Sequence, residues 1–295
     1  MDATNLNPSL LELYTYDKIP GLNDTLDVVV DLETLIPLDN GRHSIQPRQS
    51  LGQLDILPNE VTSDILLALD LPTLTRFRRV NHRAMDLIDS LRQYRMIYKH
   101  CANVLRAVIS VDATYTCKTL YETLSTTCCK SCGQFGGYLY LITCERVCYS
   151  CFYLSPRYRP VEITFAPKCP EVVSTLELMH VPRVLSLPPS RGPKRDVFLD
   201  RWALLRTTIK LWPWIPDWMA LVQKREYALE GHKRYMTIIS APYFSSTGKL
   251  ACRGFFCALC RDHELMLPKF AVKYTECGIL EHISNVHGVT AKVNQ

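Results

Sequence analysis

No apolar run in the sequence approaches the roughly 18 residues that a membrane-spanning helix needs. The start MDATNLNPSL has neither the basic nor the apolar stretch of a secretory signal. An intracellular protein, cytoplasmic or nuclear and off the membrane, is therefore expected. Charge of one sign is also scarce: 34 Lys and Arg against 29 Asp and Glu leave +5 over 295 residues, too weak a bias to name nucleic acid as a partner. Enzyme signatures are missing as well. There is no GxGxxG and no GxSxG, Gly248-Lys249 has Tyr243 where a phosphate-binding loop needs glycine, and His263-Glu264 lacks the second His of HExxH. A non-enzymatic role is expected. At 47% hydrophobic and 21% charged, the composition also excludes disordered, collagen-like and coiled-coil chains.

Cysteine, by contrast, is abundant. Thirteen cysteines are an odd number, which argues against a closed disulfide framework and towards metal binding. Charge is unevenly placed, with a net −5 in residues 1–50, +3 in 51–190 and +7 in 191–295.

The pattern divides the chain into five stretches. Residues 1–50 hold short apolar bursts between turn formers and read as a loosely attached acidic extension. In residues 51–110, Pro58 stands where a first helical position belongs, and Val61, Ile65, Leu66 and Leu69 recur at helical spacing. Leu71-Pro72 restarts the chain, and Leu74, Phe77, Val80, Ala84, Leu87 and Leu91 continue in register. A further helix is predicted from Tyr94 to Val108, after which the register is lost. Residues 111–155 hold the first cysteine cluster. Residues 156–200 contain eight of the 18 prolines, from Pro156 to Pro193, and read as an irregular connector. Residues 201–295 form a C-terminal module. All four tryptophans lie there between 202 and 218, read as its core rather than as a stacking face. A helix from Asp217 to Gly231, a hairpin around Ser245–Gly248 and a last helix from Thr275 to Gly288 complete it.

Cys129-Lys130-Ser131-Cys132 and Cys148-Tyr149-Ser150-Cys151 are two CxxC pairs separated by fifteen residues. Each pair can form a tight knuckle that aims two thiolates at one point, and two knuckles complete a tetrahedron at about 2.3 Å per sulfur. Tyr138, Tyr140 and Ile142 alternate like a strand between them. Cys257 and Cys260, with His282 and His287, read as a second, two-Cys two-His zinc site. His282 and His287 are five apart, about 140° around an ideal helix, so both are expected to bind only if the last turn opens. Cys128, Cys144, Cys252, His263 and Cys277 are competing ligands.

Leu57-Pro58-Asn59-Glu60, Ile65-Leu66-Leu67, Leu69 and Arg78-Arg79-Val80-Asn81 resemble the F-box. Ser90–Tyr94, Thr119-Leu120-Tyr121 and Cys144–Cys148 are similar to those of F-box proteins from filamentous fungi. The chain departs from the motif after Val80, where Asn81, His82 and Arg83 replace the Cys and later Trp of many F-boxes. The resemblance implies a helical unit that docks on a Skp-type adaptor through Leu57, Pro58, Ile65, Leu66, Leu69, Leu74 and Val80. That adaptor would link it to a cullin ubiquitin ligase, while the rest of the chain selects a protein substrate. The overall expectation is an α+β protein, an F-box helical unit followed by small zinc-stabilised modules. A zinc-dependent nucleic-acid binder is the alternative, although Glu276, Glu281 and Ile283 suit the last helix poorly to a DNA groove.

Overall fold

The chain was built as a computed structural model, which describes residues 8–16, 25–38, 50–162, 178–180, 197–211, 232–244, 251–262 and 272–289. Helices and strands are mixed, as expected of an α+β protein. The N-terminal stretch folds as α1 (Pro8–Tyr14), β1 (Thr15–Tyr16), α2 (Leu26–Val29) and α3 (Leu32–Leu35). A helical unit follows: α4 (Asn59–Ala68), α5 (Leu71–Arg78), α6 (His82–Ser90), α7 (Arg92–His100), α8 (Ala102–Ser110) and α9 (Cys117–Leu124).

Side-chain caps fix these boundaries. Asp70 accepts the Thr73 N–H at 2.8 Å, which together with Pro72 starts α5. Asn81 accepts the Ala84 N–H at 2.8 Å, so the apolar run from Leu74 to Leu91 becomes two helices rather than one. The single helix predicted over 94–108 is also two, broken at Cys101, where the backbone turns to φ −132°. That turn lets α8 bury Val104, Leu105, Ala107 and Val108 around most of its circumference. Where no register was legible, α9 forms because Thr116 caps it through the Thr119 N–H and Cys117, Leu120 and Leu124 face the core. Arg78 is buried. It holds Asp89 through paired bonds of 2.7 and 2.8 Å and donates to the Leu38 carbonyl, pinning α5, α6 and the N-terminal stretch together.

Beyond the helical unit come β2 (Tyr138–Tyr140), β3 (Glu145–Val147), α10 (Tyr149–Leu154), β4 (Val161–Glu162), β5 (Leu178–His180), β6 (Val197–Leu199), α11 (Arg201–Leu211), α12 (His232–Tyr235), β7 (Ile238–Ser240), β8 (Tyr243–Phe244), β9 (Ala251–Cys252), β10 (Phe255–Cys257), α13 (Ala258–Asp262), β11 (Lys273–Tyr274) and α14 (Glu276–His287). They pair as β3-β2-β7, β4-β6-β5, β8-β9 and β1-β10-β11. The expected hairpin between the knuckles is β2 against β3, with Tyr138 opposite Val147. Strand β2 lies between two neighbours and is buried on both faces, so Tyr138, Leu139 and Tyr140 are all internal instead of alternating.

Three boundaries read from the sequence are corrected. The N-terminal stretch is not loose: β1 pairs with β10, and Leu26, Val30, Leu32 and Leu38 join the main core. The proline-rich stretch contains β4 and β5, both paired with β6, whose Phe198 and Leu199 are fully buried. The C-terminal third is not wholly separate: β7 adds to the sheet of the first cysteine cluster and the main apolar core includes residues from Leu26 to Phe256, while Cys257, Ile279 and Ile283 centre a smaller second core. Sequence-local patterning cannot show such pairings, since each joins segments far apart in the chain. The tryptophan core falls on Trp212, Trp214 and Trp218, outside the described residues, as does the helix predicted from 217 to 231; Trp202, on α11, is half exposed. The turn at Ser245–Gly248 also lies outside them, but β8 and β9 on either side are paired.

Candidate metal centres

The first knuckle precedes β2. Its Gly133 adopts φ +75°, and the Gly133 N–H returns to the Cys129 carbonyl at 2.9 Å, closing the loop that sets Cys129 and Cys132 side by side. The second knuckle opens α10: Cys148 stands at its N-cap, and its Sγ accepts the Cys151 N–H at 3.3 Å. The short β2–β3 hairpin brings the two knuckles together. All four Sγ atoms lie within 4.8 Å of one another, and Cys132 and Cys148 are 3.7 Å apart. Bonds of 2.3 Å in a tetrahedron place sulfurs about 3.8 Å apart, so the four thiols are close enough together to hold a metal ion. Cys129 and Cys148 are buried, whereas Cys132 is at the surface.

The thiols are electrostatically coupled. A hydrogen bond from Cys148, joined by backbone N–H groups, holds the Cys129 thiol down to about 4. The same bond, and then burial, pushes Cys148 up; burial, and then Cys132, pushes Cys151 up to about 12. Of these three thiols, Cys129 ionises most readily, while Cys148 and Cys151 resist ionisation. A divalent cation held by these sulfurs would favour the thiolate form of each.

The second cluster is built by β10, α13 and α14. Cys257 ends β10 and Cys260 lies in α13, while Thr275 caps α14 through the Gly278 N–H and Gly288, at φ +66°, terminates it. The Cys260 Sγ is 3.1 Å from Nε2 of His282 and 3.2 Å from Nε2 of His287, and Cys257 is 3.6 Å from His287. The expectation that the last turn must open is corrected. The Gly288 N–H still reaches the Ser284 carbonyl at 3.1 Å, and the two imidazoles converge by side-chain reach alone. Burial, with His287 nearby, lowers the pKa of His282 and favours the neutral imidazole that a metal binds. Tyr274 stacks on that ring at 4.6 Å. Burial and Cys257 push the Cys260 thiol up to about 11.

Both clusters could hold metal ions. In each, four side chains offer one ligand atom apiece, and a metal held by all four would keep no open position for a reacting water, as in structural sites. Cys128, Cys144, Cys252 and Cys277 belong to neither cluster. Cys144 instead faces Thr123, and His263 lies outside the described residues.

The residues assigned to an adaptor-binding face divide. Leu57, Pro58, Ile65 and Val80 are exposed, and Leu69 is half-buried. Leu66 and Leu74 are 3% and 0% exposed and pack in the chain's own core, so their place on a partner face is corrected: each lies on the inward side of its helix. Two exposed residues were not assigned to it, Ile56 and Val61, at 81% and 44%. Val61 and Ile65, four apart on α4, continue the line from Leu57 along one side.

Sequence reading also missed two buried cations. Arg146 is 3% exposed and donates to the carbonyls of Thr123, Leu124, Gly136, Ala241 and Pro242. Lys273 lies between the rings of Tyr138 and Phe256. The only local signal was Gly136-Gly137, where a side chain would strike one cation or the other. Among the described residues no helix is long and apolar enough to cross a membrane. Comparison with protein-family models, with curated proteins and with solved structures found no match.

Proposed function

We propose that the protein is the substrate receptor of an SCF-type cullin ubiquitin ligase, docking on a Skp-type adaptor through the start of its helical unit. In this reading both metal centres hold zinc for folding, and ubiquitin transfer belongs to the partners. The observation that carries the proposal is the uncovered apolar line Ile56, Leu57, Val61 and Ile65, with Val80 beyond α5. Five such side chains left in water each forgo about 1 kcal/mol of burial, which a partner can recover. The line runs through Leu57 of the Leu57-Pro58 pair on which the F-box resemblance rests. Zinc is supported by the donor sets, four thiolates in one site and two thiolates with two imidazoles in the other.

The nucleic-acid alternative is less well supported. Helix α14 contains no Lys or Arg, and its exposed residues include Glu276 and Glu281, so it offers a phosphate backbone repulsion rather than attraction. Co-expression with a Skp-type adaptor tests the proposal. The wild-type chain should co-purify with it, and replacing Leu57 and Pro58 by Ala should abolish recovery while circular dichroism stays unchanged. Equal recovery of the two would remove the assignment.

A further inference from the structure

Residues close in sequence to both ligand sets meet in one wall. Lys273, on β11 of the second centre, lies across Gly137, where a Cβ would come within 2.6 Å of its Cδ. Its Nζ is 5.2 Å from the Tyr138 ring of β2 and 5.0 Å from the Phe256 ring of β10, and it donates to the Arg253 carbonyl at 3.2 Å. Three residues past Cys132, Phe135 covers Gly254, three residues before Cys257. A Cβ on Gly254 would come within 2.4 Å of the Phe135 ring, and this glycine holds φ +72°. The contacts are interlocked: Lys273 touches a strand from each centre, and the glycines at 137 and 254 leave no gap in which one side could shift alone.

We infer that the two centres take up metal cooperatively, because ordering either one builds half of this wall. The inference rests on the metal reading above and goes beyond it: the two sites are linked by contacts in which no ligand takes part. A metal at the first centre fixes the knuckle that leads through Phe135 and Gly137 into β2. A metal at the second fixes β10 and β11, hence Phe256, Gly254 and Lys273. Each binding event supplies the other with an ordered partner surface, and by linkage the effect is reciprocal.

Native mass spectrometry of the full chain, stripped of metal under reducing conditions and titrated with zinc chloride, reads this directly. Independent sites leave half or more of the molecules singly loaded at half saturation, whereas tenfold coupling between equal sites reduces that species to about a quarter. The result expected for the wild type is a singly loaded fraction clearly below that of variants in which the wall is broken, and about a quarter if the two sites are equal. Lys273→Met keeps the stem but removes the ammonium from between the two rings, and Gly137→Ala forces the wall apart. Either should restore a singly loaded fraction of half or more while two ions still bind at saturation. A wild-type singly loaded fraction no lower than that of both variants overturns the inference. If no zinc loads at all, the metal reading itself fails and the inference falls with it; two ions binding independently leave the metal reading standing and sink only the inference.

Discussion

Replacing Arg146 by Met probes the junction on which the fold depends. The guanidinium donates from Nη1 to Gly136 at 2.7 Å and Ala241 at 3.0 Å, from Nη2 to Pro242 at 2.8 Å and Leu124 at 3.4 Å, and from Nε to Thr123 at 3.2 Å. All five N–H groups are thus used, on carbonyls of three separate segments. Burial pulls the guanidinium down only to about 10, so it stays charged at neutral pH. The Thr123 carbonyl also accepts from Thr126, so its loss is partly covered. Gly136, Ala241 and Pro242 are left with carbonyls aimed at a thioether, and each costs about 1–3 kcal/mol. Relief of burying a cation offsets some of this. A net loss of about 4 kcal/mol is expected, a large part of the 5–15 kcal/mol available to a typical domain. With a urea slope of about 2 kcal/mol per molar, the unfolding midpoint should fall by about 2 M. Arg146→Lys should recover less than half of that, because one ammonium cannot reproduce the planar fork. A midpoint shift below about 0.5 M for Arg146→Met, at unchanged slope, would refute the reasoning.

Further outcomes follow from the same structure. Gly254→Ala should destabilise the chain by more than 1 kcal/mol in urea unfolding, since it imposes positive φ on an L-residue and drives its Cβ into Phe135. Leu74→Ala should lose about 2–5 kcal/mol by leaving a cavity, and Ile65→Ala well under 1 kcal/mol, because one is internal and the other exposed. Chelation should make six more thiols reactive towards a disulfide reagent, those of Cys129, Cys132, Cys148, Cys151, Cys257 and Cys260. The exposed Cys128 and Cys277 should react with or without chelator. Cys101 and Cys117, whose thiols burial pushes up to about 12, should stay silent. Cys129→Ser should make residues 111–155 protease-sensitive, which limited proteolysis reads out; a wild-type cleavage pattern would mean the cluster does not order them.

Both candidate clusters were legible because their halves, CxxC pairs and two histidines on one helix, are local. A CxxC pair fixes two sulfurs within one turn, and the remaining question is only which pairs meet. Helix α14 was legible for the same reason, since Thr275 and Gly288 are local signals at its two ends. What could not be read is what joins distant segments. Nothing around Thr15 announces that it will pair with Cys257, and nothing around Ile238 announces a place beside Tyr140. Helix α9 was missed because Cys117 counts weakly in an apolar pattern although it is fully buried. Leu66 and Leu74 were placed on the outer face because periodicity finds an apolar side without saying whether a neighbour already covers it. Arg146 was invisible for a related reason. A lone arginine in sequence gives no sign that five carbonyls will surround it.

The central claim, a zinc-stabilised receptor seated on a Skp-type adaptor, is tested most directly by native mass spectrometry of the chain co-expressed with that adaptor. The account predicts a one-to-one complex whose mass includes two zinc ions, both lost on acidification. A chain that carries fewer than two ions, or that flies without the adaptor while retaining both, would contradict it.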